Sequence, residues 1–207
     1  RCVSCGQCMV SCPFGAIVDK SQIYQVIRSI LEGNEVVAIV APSFVGQFGR
    51  DVTVPKFLTA MKQLGFADVV EVAAGADICT IEEAHDFLEK VPNEQRFMAT
   101  SCCPSWRMMA RRLFPAESGN ISMTYTPMVY TARMVKEQHP GCKVVFVGPC
   151  AAKKLEAMQE ELRNDVDFGL TYAELMGMFE APAVGLEGIG PAGARRRGRA
   201  RGPGGWA

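Results

Sequence analysis

The feature that most limits how this chain can fold is the alternation of short apolar runs with amphipathic stretches. Glu35–Val40 and Lys143–Val147 read EVVAIV and KVVFV. Such runs are typical of strands buried on both faces of a parallel sheet. Val54–Leu64 and Pro127–Gln138 show helical spacing of their apolar residues. We therefore predict an α/β domain with a mostly parallel sheet and flanking helices.

The same reasoning assigns elements up to residue 180. Strands are predicted at 68–72, 97–100 and 166–170, and helices at 22–32, 81–90, 105–114, 153–163 and 172–179. Residues 181–207 are rich in glycine, alanine, arginine and proline, a composition that cannot bury a core. We predict that this tail is disordered and a non-native, frameshift-like end; an RNA-binding tail is the alternative. The rest of the chain is acidic on balance, so binding to nucleic acid is not expected, and no apolar run is long enough to expect a membrane span.

Four of the nine cysteines lie within the first twelve residues. Cys2, Cys5, Cys8 and Cys12, followed by Pro13, have the C-x2-C-x2-C-x3-C-P spacing of bacterial ferredoxin 4Fe-4S clusters. Zinc is the chemical rival, but zinc motifs pair one C-x2-C with a distant second pair. In two-cluster ferredoxins the fourth cysteine serves the other cluster. We therefore expect residues 1–18 to be a partial ferredoxin-like module with a second motif upstream of Arg1, in agreement with the missing initiator Met.

Three further cysteines lie where a predicted strand meets a helix. Cys102 and Cys103 directly precede Pro104, which suits a first helical position, and Cys150 follows the strand KVVFV. Open α/β sheets bind ligands at the carboxyl ends of their strands. A helix N-terminus also favours thiolates and anionic clusters. We therefore predict a second metal centre here and a structural role for Cys79 and Cys142.

The segments TSCCPSW (100–106) and PCAAKKLE (149–156) resemble the first two active-site motifs of the iron-only (FeFe) hydrogenases. The resemblance runs in consistent order through about residues 1–180, so that 19–180 would be an incomplete catalytic domain. It implies that Cys103 and Cys150 ligate the H-cluster, a 4Fe-4S cubane bridged to a two-iron unit with CO and cyanide ligands. It also implies roles for other residues: proton transfer by Cys102, a hydrogen bond from Lys153 to a cyanide ligand, and contact of Ala41, Pro42 and Ser43 with the two-iron unit.

The resemblance extends to a proton path and includes departures. Glu83 matches the outer glutamate of the path, Ser122 matches its relay serine, and Asp86 replaces the usual inner glutamate with a shorter side chain. Met128 stands where catalytic members often carry glutamine, which is closer to the divergent or sensory branches. The family's third motif, C-x3-C, would supply two more thiolates, but no cysteine follows Cys150.

Three functions are compatible with these residues. The first is reversible reduction of protons to hydrogen with ferredoxin-type electron donors, in a chain inactive as it stands because two cluster ligands are missing. The second is a hydrogen sensor, and the third is an iron–sulfur electron-transfer or assembly protein of the same family. The resemblance implies a ferredoxin or other redox partner, hydrogenase maturation proteins, and a cytoplasmic location in an anaerobic bacterium.

Overall fold

The computed structural model describes residues 2–180, and the predicted disordered tail at 181–207 lies outside the described residues. The helices are α1 (Gln7–Ser11), α2 (Ile23–Leu31), α3 (Val54–Gln63), α4 (Ala73–Lys90), α5 (Pro104–Leu113), α6 (Pro127–Gln138), α7 (Ala151–Ala157) and α8 (Tyr172–Glu180). The strands are β1 (Val36–Val40), β2 (Asp68–Glu71), β3 (Lys143–Gly148) and β4 (Phe168–Thr171). None of the helices within 2–180 has the length and apolar character needed to cross a membrane.

The four strands form one sheet in the order β2-β1-β3-β4, and every pairing is parallel. β1 lies at the centre, with Val37 opposite Asp68 on one side and Val144 on the other. All five residues of β1 are buried, as expected for a strand covered on both faces. The predicted α/β architecture with a parallel sheet is therefore confirmed.

Each face of the sheet has its own hydrophobic core. Val36, Ala38 and Val40 of β1 point into a core filled by α2, α3 and α8, with Phe57 among its largest side chains. Val37 and Ile39 point to the opposite face, where α6 supplies most of the helical residues of the core. The period of two along the strand thus divides the apolar residues between two helical layers.

The structure corrects the start of one predicted helix. α4 begins at Ala73, not at Ile81. The prediction missed this start because the helix opens with the small residues AAGA, which show no apolar periodicity. Those small residues permit close packing against α6. A Cβ at Gly75 would lie 2.3 Å from the hydroxyl oxygen of Thr131 and 2.4 Å from the carbonyl oxygen of Pro127.

Two other predicted elements differ from the structure. Phe97–Thr100 is not a strand of the sheet; it forms an isolated bridge in which the Ala99 N–H donates to the Asn120 carbonyl at 2.8 Å. The helix predicted at 153–163 instead spans Ala151–Ala157. Gln159 adopts an extended backbone with ψ at 142°, and a short 3-10 turn follows at Glu160–Leu162.

Candidate functional site

The carboxyl edge of the sheet brings two predicted site segments, residues 41–43 and Cys150, together around Tyr172. The Tyr172 hydroxyl donates to the Ala41 carbonyl at 3.0 Å and forms a 2.8 Å hydrogen bond with the Ser43 hydroxyl. Burial raises the pKa of Tyr172 to about 12, with the Ser43 hydrogen bond opposing this rise and the nearby Cys150 thiol adding to it. Sequence reasoning missed Tyr172; its only signal was its position at the end of the last strand.

Cys102 and Cys103 lie at the start of α5. Cys103 is the N-cap residue with an extended backbone, and Pro104 occupies the first helical position, as predicted. Crowding by neighbouring protein raises the pKa of the Cys102 thiol although the side chain keeps exposed surface. The Lys153 ammonium opposes this rise, and Glu83 adds to it. Glu83 of α4 and Lys153 of α7 therefore lie close enough to the Cys102 thiol to act on it electrostatically.

Lys153 is held by a buried carboxylate. Its ammonium donates to the Glu156 Oε2 at 2.6 Å, and the side chains are 14% and 2% exposed. Both residues belong to the short helix α7, whose N-cap is Cys150. Sequence reasoning gave Glu156 no role; its place three residues after Lys153 was the available signal.

Cys79 lies in α4 among the same charged groups. Burial, together with the Glu83 carboxylate and Cys102, raises its pKa to about 12, and Lys153 only partly opposes this. The thiol is therefore neutral near pH 7, which suits a packed structural residue.

The remaining proton-path residues are more dispersed. Asp86 forms an ion pair with Lys90 at 3.1 Å on the outer part of α4. Ser122 is buried, and its hydroxyl accepts from the Thr124 N–H at 3.2 Å. Met128 is fully buried in the core beneath α6. Glu83 thus lies within electrostatic range of Cys102, whereas Asp86 belongs to an ion pair along α4.

The N-terminal cysteines lie in a loop around α1. Cys2, Cys5 and Cys8 are exposed, and Cys12 is half-buried. The Ser4 N–H donates to the Cys2 sulfur at 3.2 Å, and this bond is the main reason that the pKa of Cys2 is lowered. Backbone N–H groups, those of Ala16 and Phe14 first, lower the pKa of Cys12. These N–H groups stabilise the thiolate form of the cysteines, which is the form that ligates an iron–sulfur cluster.

A 4Fe-4S cubane takes four ligands, and the N-terminal module and the sheet edge differ in the thiols they offer. Across residues 2–180, no group of three or more Cys, His, Asp or Glu side chains is gathered into a metal-binding geometry. At the N-terminus the free thiols of Cys2, Cys5 and Cys8 are donors of the type a cubane takes, and Cys12 is the donor that the spacing assigns to a neighbouring cluster. At the sheet edge the described residues supply Cys103 and Cys150, which is part of a cubane's ligand set.

The fold and the two cysteine sites define an iron–sulfur protein of the hydrogenase type. The family described as "Iron only hydrogenase large subunit, C-terminal domain" matches residues 34–203, and a "4Fe-4S binding domain" matches residues 1–18. The chain therefore belongs to the iron-only hydrogenase large-subunit family.

Several known proteins are similar to this chain in sequence. Iron hydrogenase 1 of Clostridium pasteurianum is 33% identical over 81% of this chain, and the NADP-reducing hydrogenase subunit HndD of Solidesulfovibrio fructosivorans is 28% identical over 91%. The alignments cover 33% and 37% of those two proteins, so this chain spans about a third of their length. The cytosolic Fe-S cluster assembly factor NAR1 of Kluyveromyces lactis is 29% identical over 44% of this chain and 19% of its own length.

A solved structure shows the same fold. The FeFe-hydrogenase HydA1 from Chlamydomonas reinhardtii superimposes with a TM-score of 0.75 at 22% identity, covering 83% of this chain and 50% of that one. At this identity the likeness establishes the fold. The similar proteins thus include hydrogenases and an Fe-S cluster assembly factor, so the activity has to be argued from the site.

Proposed function

We propose that this protein is a hydrogenase-type oxidoreductase that interconverts protons and dihydrogen. One observation carries the proposal: α4 and α7 bring Glu83 and Lys153 close enough to act electrostatically on Cys102, which lies just before α5 at the cysteine-bearing edge of the sheet. A carboxylate, a thiol and an ammonium at one point can pass a proton and hold an anionic ligand.

Each of these residues has a role in the proposal. Cys103 and Cys150 hold the H-cluster, which when bound supplies the iron site where two protons and two electrons combine. Cys102 keeps its proton because its pKa is raised, so the thiol can donate it inward. Glu83 then returns a proton to Cys102 from the outer side. Lys153, fixed by Glu156, presents an ammonium to a cyanide ligand.

The N-terminal module is the proposed entry point for electrons. Cys2, Cys5 and Cys8 would hold a 4Fe-4S cluster and Cys12 would serve a neighbouring one; such clusters would supply electron transfer from a ferredoxin-type partner. Hydrogenase maturation proteins insert the two-iron unit. Ala41, Pro42 and Ser43 form the wall against that unit, held in place by Tyr172.

The test uses a chimera in which the segments flanking this chain come from iron hydrogenase 1 of Clostridium pasteurianum. The chimera is co-expressed anaerobically with hydrogenase maturation proteins. We expect infrared bands of CO and cyanide, together with hydrogen evolution from reduced viologen that is lost in Cys102→Ala. Bands without turnover would favour a sensory role, and iron–sulfur EPR signals without any bands would contradict both.

A second candidate is an iron–sulfur electron-transfer or assembly protein. The specific observation is that Asp86 pairs with Lys90 while the buried Met128 offers no polar relay near the site. The similarity to the assembly factor NAR1 supports the same alternative. In the experiment above, this candidate predicts bound cubane iron and no CO or cyanide bands.

A further inference from the structure

Each of the two helices that begin at a predicted H-cluster cysteine also carries a cation that reaches the N-terminal module. α7 is capped by Cys150 and bears Lys154, and α5 is capped by Cys103 and bears Arg112. Lys154 contacts Asp19 just after the module, and Arg112 contacts Cys2 at the module's start. The proposed function uses neither cation.

Lys154 is buried among carboxylates from distant parts of the chain. Its side chain is 6% exposed, and its ammonium lies 2.5 Å from Asp19 Oδ2 and 2.5 Å from Glu174 Oε2. It also lies 3.4 Å from the Lys20 carbonyl oxygen. We call Asp19, Lys154 and Glu174 the Lys154 cluster. A buried ammonium is tolerated because carboxylates surround it, and removing it would leave two carboxylates without their cation.

The backbone of β4 leaves room for this arrangement. A Cβ at Gly169 would lie 3.0 Å from Lys154 Cγ, so the lysine stem passes directly over this glycine. The Gly169 N–H on the edge strand donates to Gln22 Oε1 at 2.7 Å. The segment that leaves the module is therefore fixed to β4 by the bond from the Gly169 N–H to the Gln22 side chain, and to α7 and α8 by the Lys154 cluster.

The pKa of Glu174 reflects its pairing with the Lys154 ammonium. Burial would raise its pKa, yet the Lys154 ammonium, the Thr171 N–H and nearby hydroxyls lower it overall. The carboxylate is thus ionised near pH 7 and stays paired with Lys154.

Arg112 makes the second contact. Its Nη1 donates to the Cys2 carbonyl oxygen at 2.5 Å, which places a guanidinium next to a predicted cluster ligand. The neighbouring Arg111 points elsewhere, with its Nη2 at 3.3 Å from the Met123 sulfur. The two arginines are therefore a matched pair in which only one side chain contacts the module.

We propose that Lys154 and Arg112 are positioning residues that hold the iron–sulfur module against the two cysteine-capped helices, an inference that rests on the proposed role of the module as an electron relay. Lys154 fixes the module's exit and Arg112 fixes its entry. The distance from the module to Cys103 and Cys150 is set by these contacts, and Arg112 also adds positive charge beside the module's first thiol.

The Lys154 contact is tested by trypsin cleavage after Lys20, whose side chain is exposed and whose carbonyl lies near the Lys154 ammonium. We expect Lys154→Met in the full 207-residue chain to speed this cleavage at least about tenfold, because loss of a buried ion-pair partner exceeds the roughly 1.4 kcal/mol that a tenfold change requires. Asp19→Asn, a milder change, should speed it in the same direction.

The matched control is Lys136→Met, which removes a partly buried ion pair between α6 and Asp167 (2.9 Å) and touches neither Asp19 nor Glu174. An unchanged cleavage rate in Asp19→Asn and Lys154→Met, or an equal increase in the control, would overturn the assignment. The assay needs no bound cluster, so its result stands even if the proposed function is wrong.

The Arg112 contact is tested by the midpoint potential of the module's cluster after anaerobic reconstitution. Arg112→Gln should lower the potential, because a nearby positive charge stabilises the more negative, reduced cluster. Arg111→Gln should leave it unchanged. Equal shifts in both variants, or no shift in Arg112→Gln, would contradict a specific contact with the module.

Discussion

Cys102 and Cys103 are adjacent in the sequence but differ in their surroundings. Cys102 lies among Glu83, Lys153 and Cys79, whereas Cys103 caps α5. The side chains of adjacent residues at a helix start point in different directions, so both thiols are not expected to ligate the same face of a cubane. The proposal therefore gives the two thiols different roles.

At the residue scale, we predict that Cys102→Ala keeps the iron of the sheet-edge cluster and loses turnover. Cys103→Ala and Cys150→Ala should both lose that iron, because a thiolate ligand is removed. Iron content and hydrogen evolution are measured in the chimera described above. Equal iron loss in Cys102→Ala and Cys103→Ala would refute this division of roles.

At the scale of elements, the contact between α4 and α6 depends on Gly75. Gly75→Ala should destabilise the protein by about 1–3 kcal/mol, since its Cβ would meet the backbone of Pro127 and the Thr131 hydroxyl. Gly177→Ala is the control: it also lies within a helix, and its Cβ would meet nothing within 4 Å. In the Gly177→Ala variant the free energy of unfolding should rise by about 0.5–1 kcal/mol. Urea unfolding measures both, and a stable Gly75→Ala would contradict the close packing.

Asp167, just before β4, links that strand to β3 and α6. Its carboxylate accepts from Lys136 Nζ, Lys143 Nζ and the Val144 N–H, each at 2.9 Å. Burial alone would raise the pKa of Asp167, but the Val144 N–H and the two ammonium groups hold it below its ordinary value.

The depressed pKa of Asp167 predicts a pH dependence of stability. The stabilisation is fully present above the unfolded pKa of about 3.9 and is lost as pH falls through the lower folded value. Asp167→Asn should therefore show a smaller fall in unfolding free energy between about pH 5 and pH 3 than the unchanged protein. The exposed Asp51→Asn serves as the control. Parallel curves for both variants and the unchanged protein would rule out this role.

At the scale of the whole molecule, the N-terminal module should carry an iron cluster independently of the sheet edge. Anaerobic reconstitution should give an EPR signal of a reduced, low-potential cubane that weakens in Cys5→Ala. Cys142→Ala should leave it intact, because Cys142 is buried in the core beneath α6. Preferential binding of zinc over iron would show that the module is a zinc site.

A polypeptide of these 207 residues should not evolve hydrogen by itself. A cubane takes four ligands, and the matched motifs at the sheet edge supply Cys103 and Cys150. Co-expression of this chain alone with maturation proteins should give no CO or cyanide bands and no turnover. Clear bands with turnover would mean that another residue of the chain completes the ligand set.

The elements predicted from local pattern are largely those of the structure. α6 has the predicted bounds of Pro127–Gln138, and β1 and β3 lie within one residue of theirs. These segments are periodic and strongly apolar, so their conformation follows from local sequence. α4 was predicted eight residues short because small residues pack well while showing no apolar period.

The sequence by itself determined the parallel α/β fold, the cysteine spacings and the family that these spacings resemble. Strand burial and helical periodicity are local properties, and ligand spacing is read directly along the chain. Only the tertiary structure decided that Glu83 and Lys153 act electrostatically on Cys102, that Tyr172 holds Ala41 and Ser43, and that Lys154 joins Asp19 to Glu174. Such contacts join residues far apart in the chain, as Asp19 and Lys154 are, and they follow from how helices pack on the sheet rather than from any periodicity.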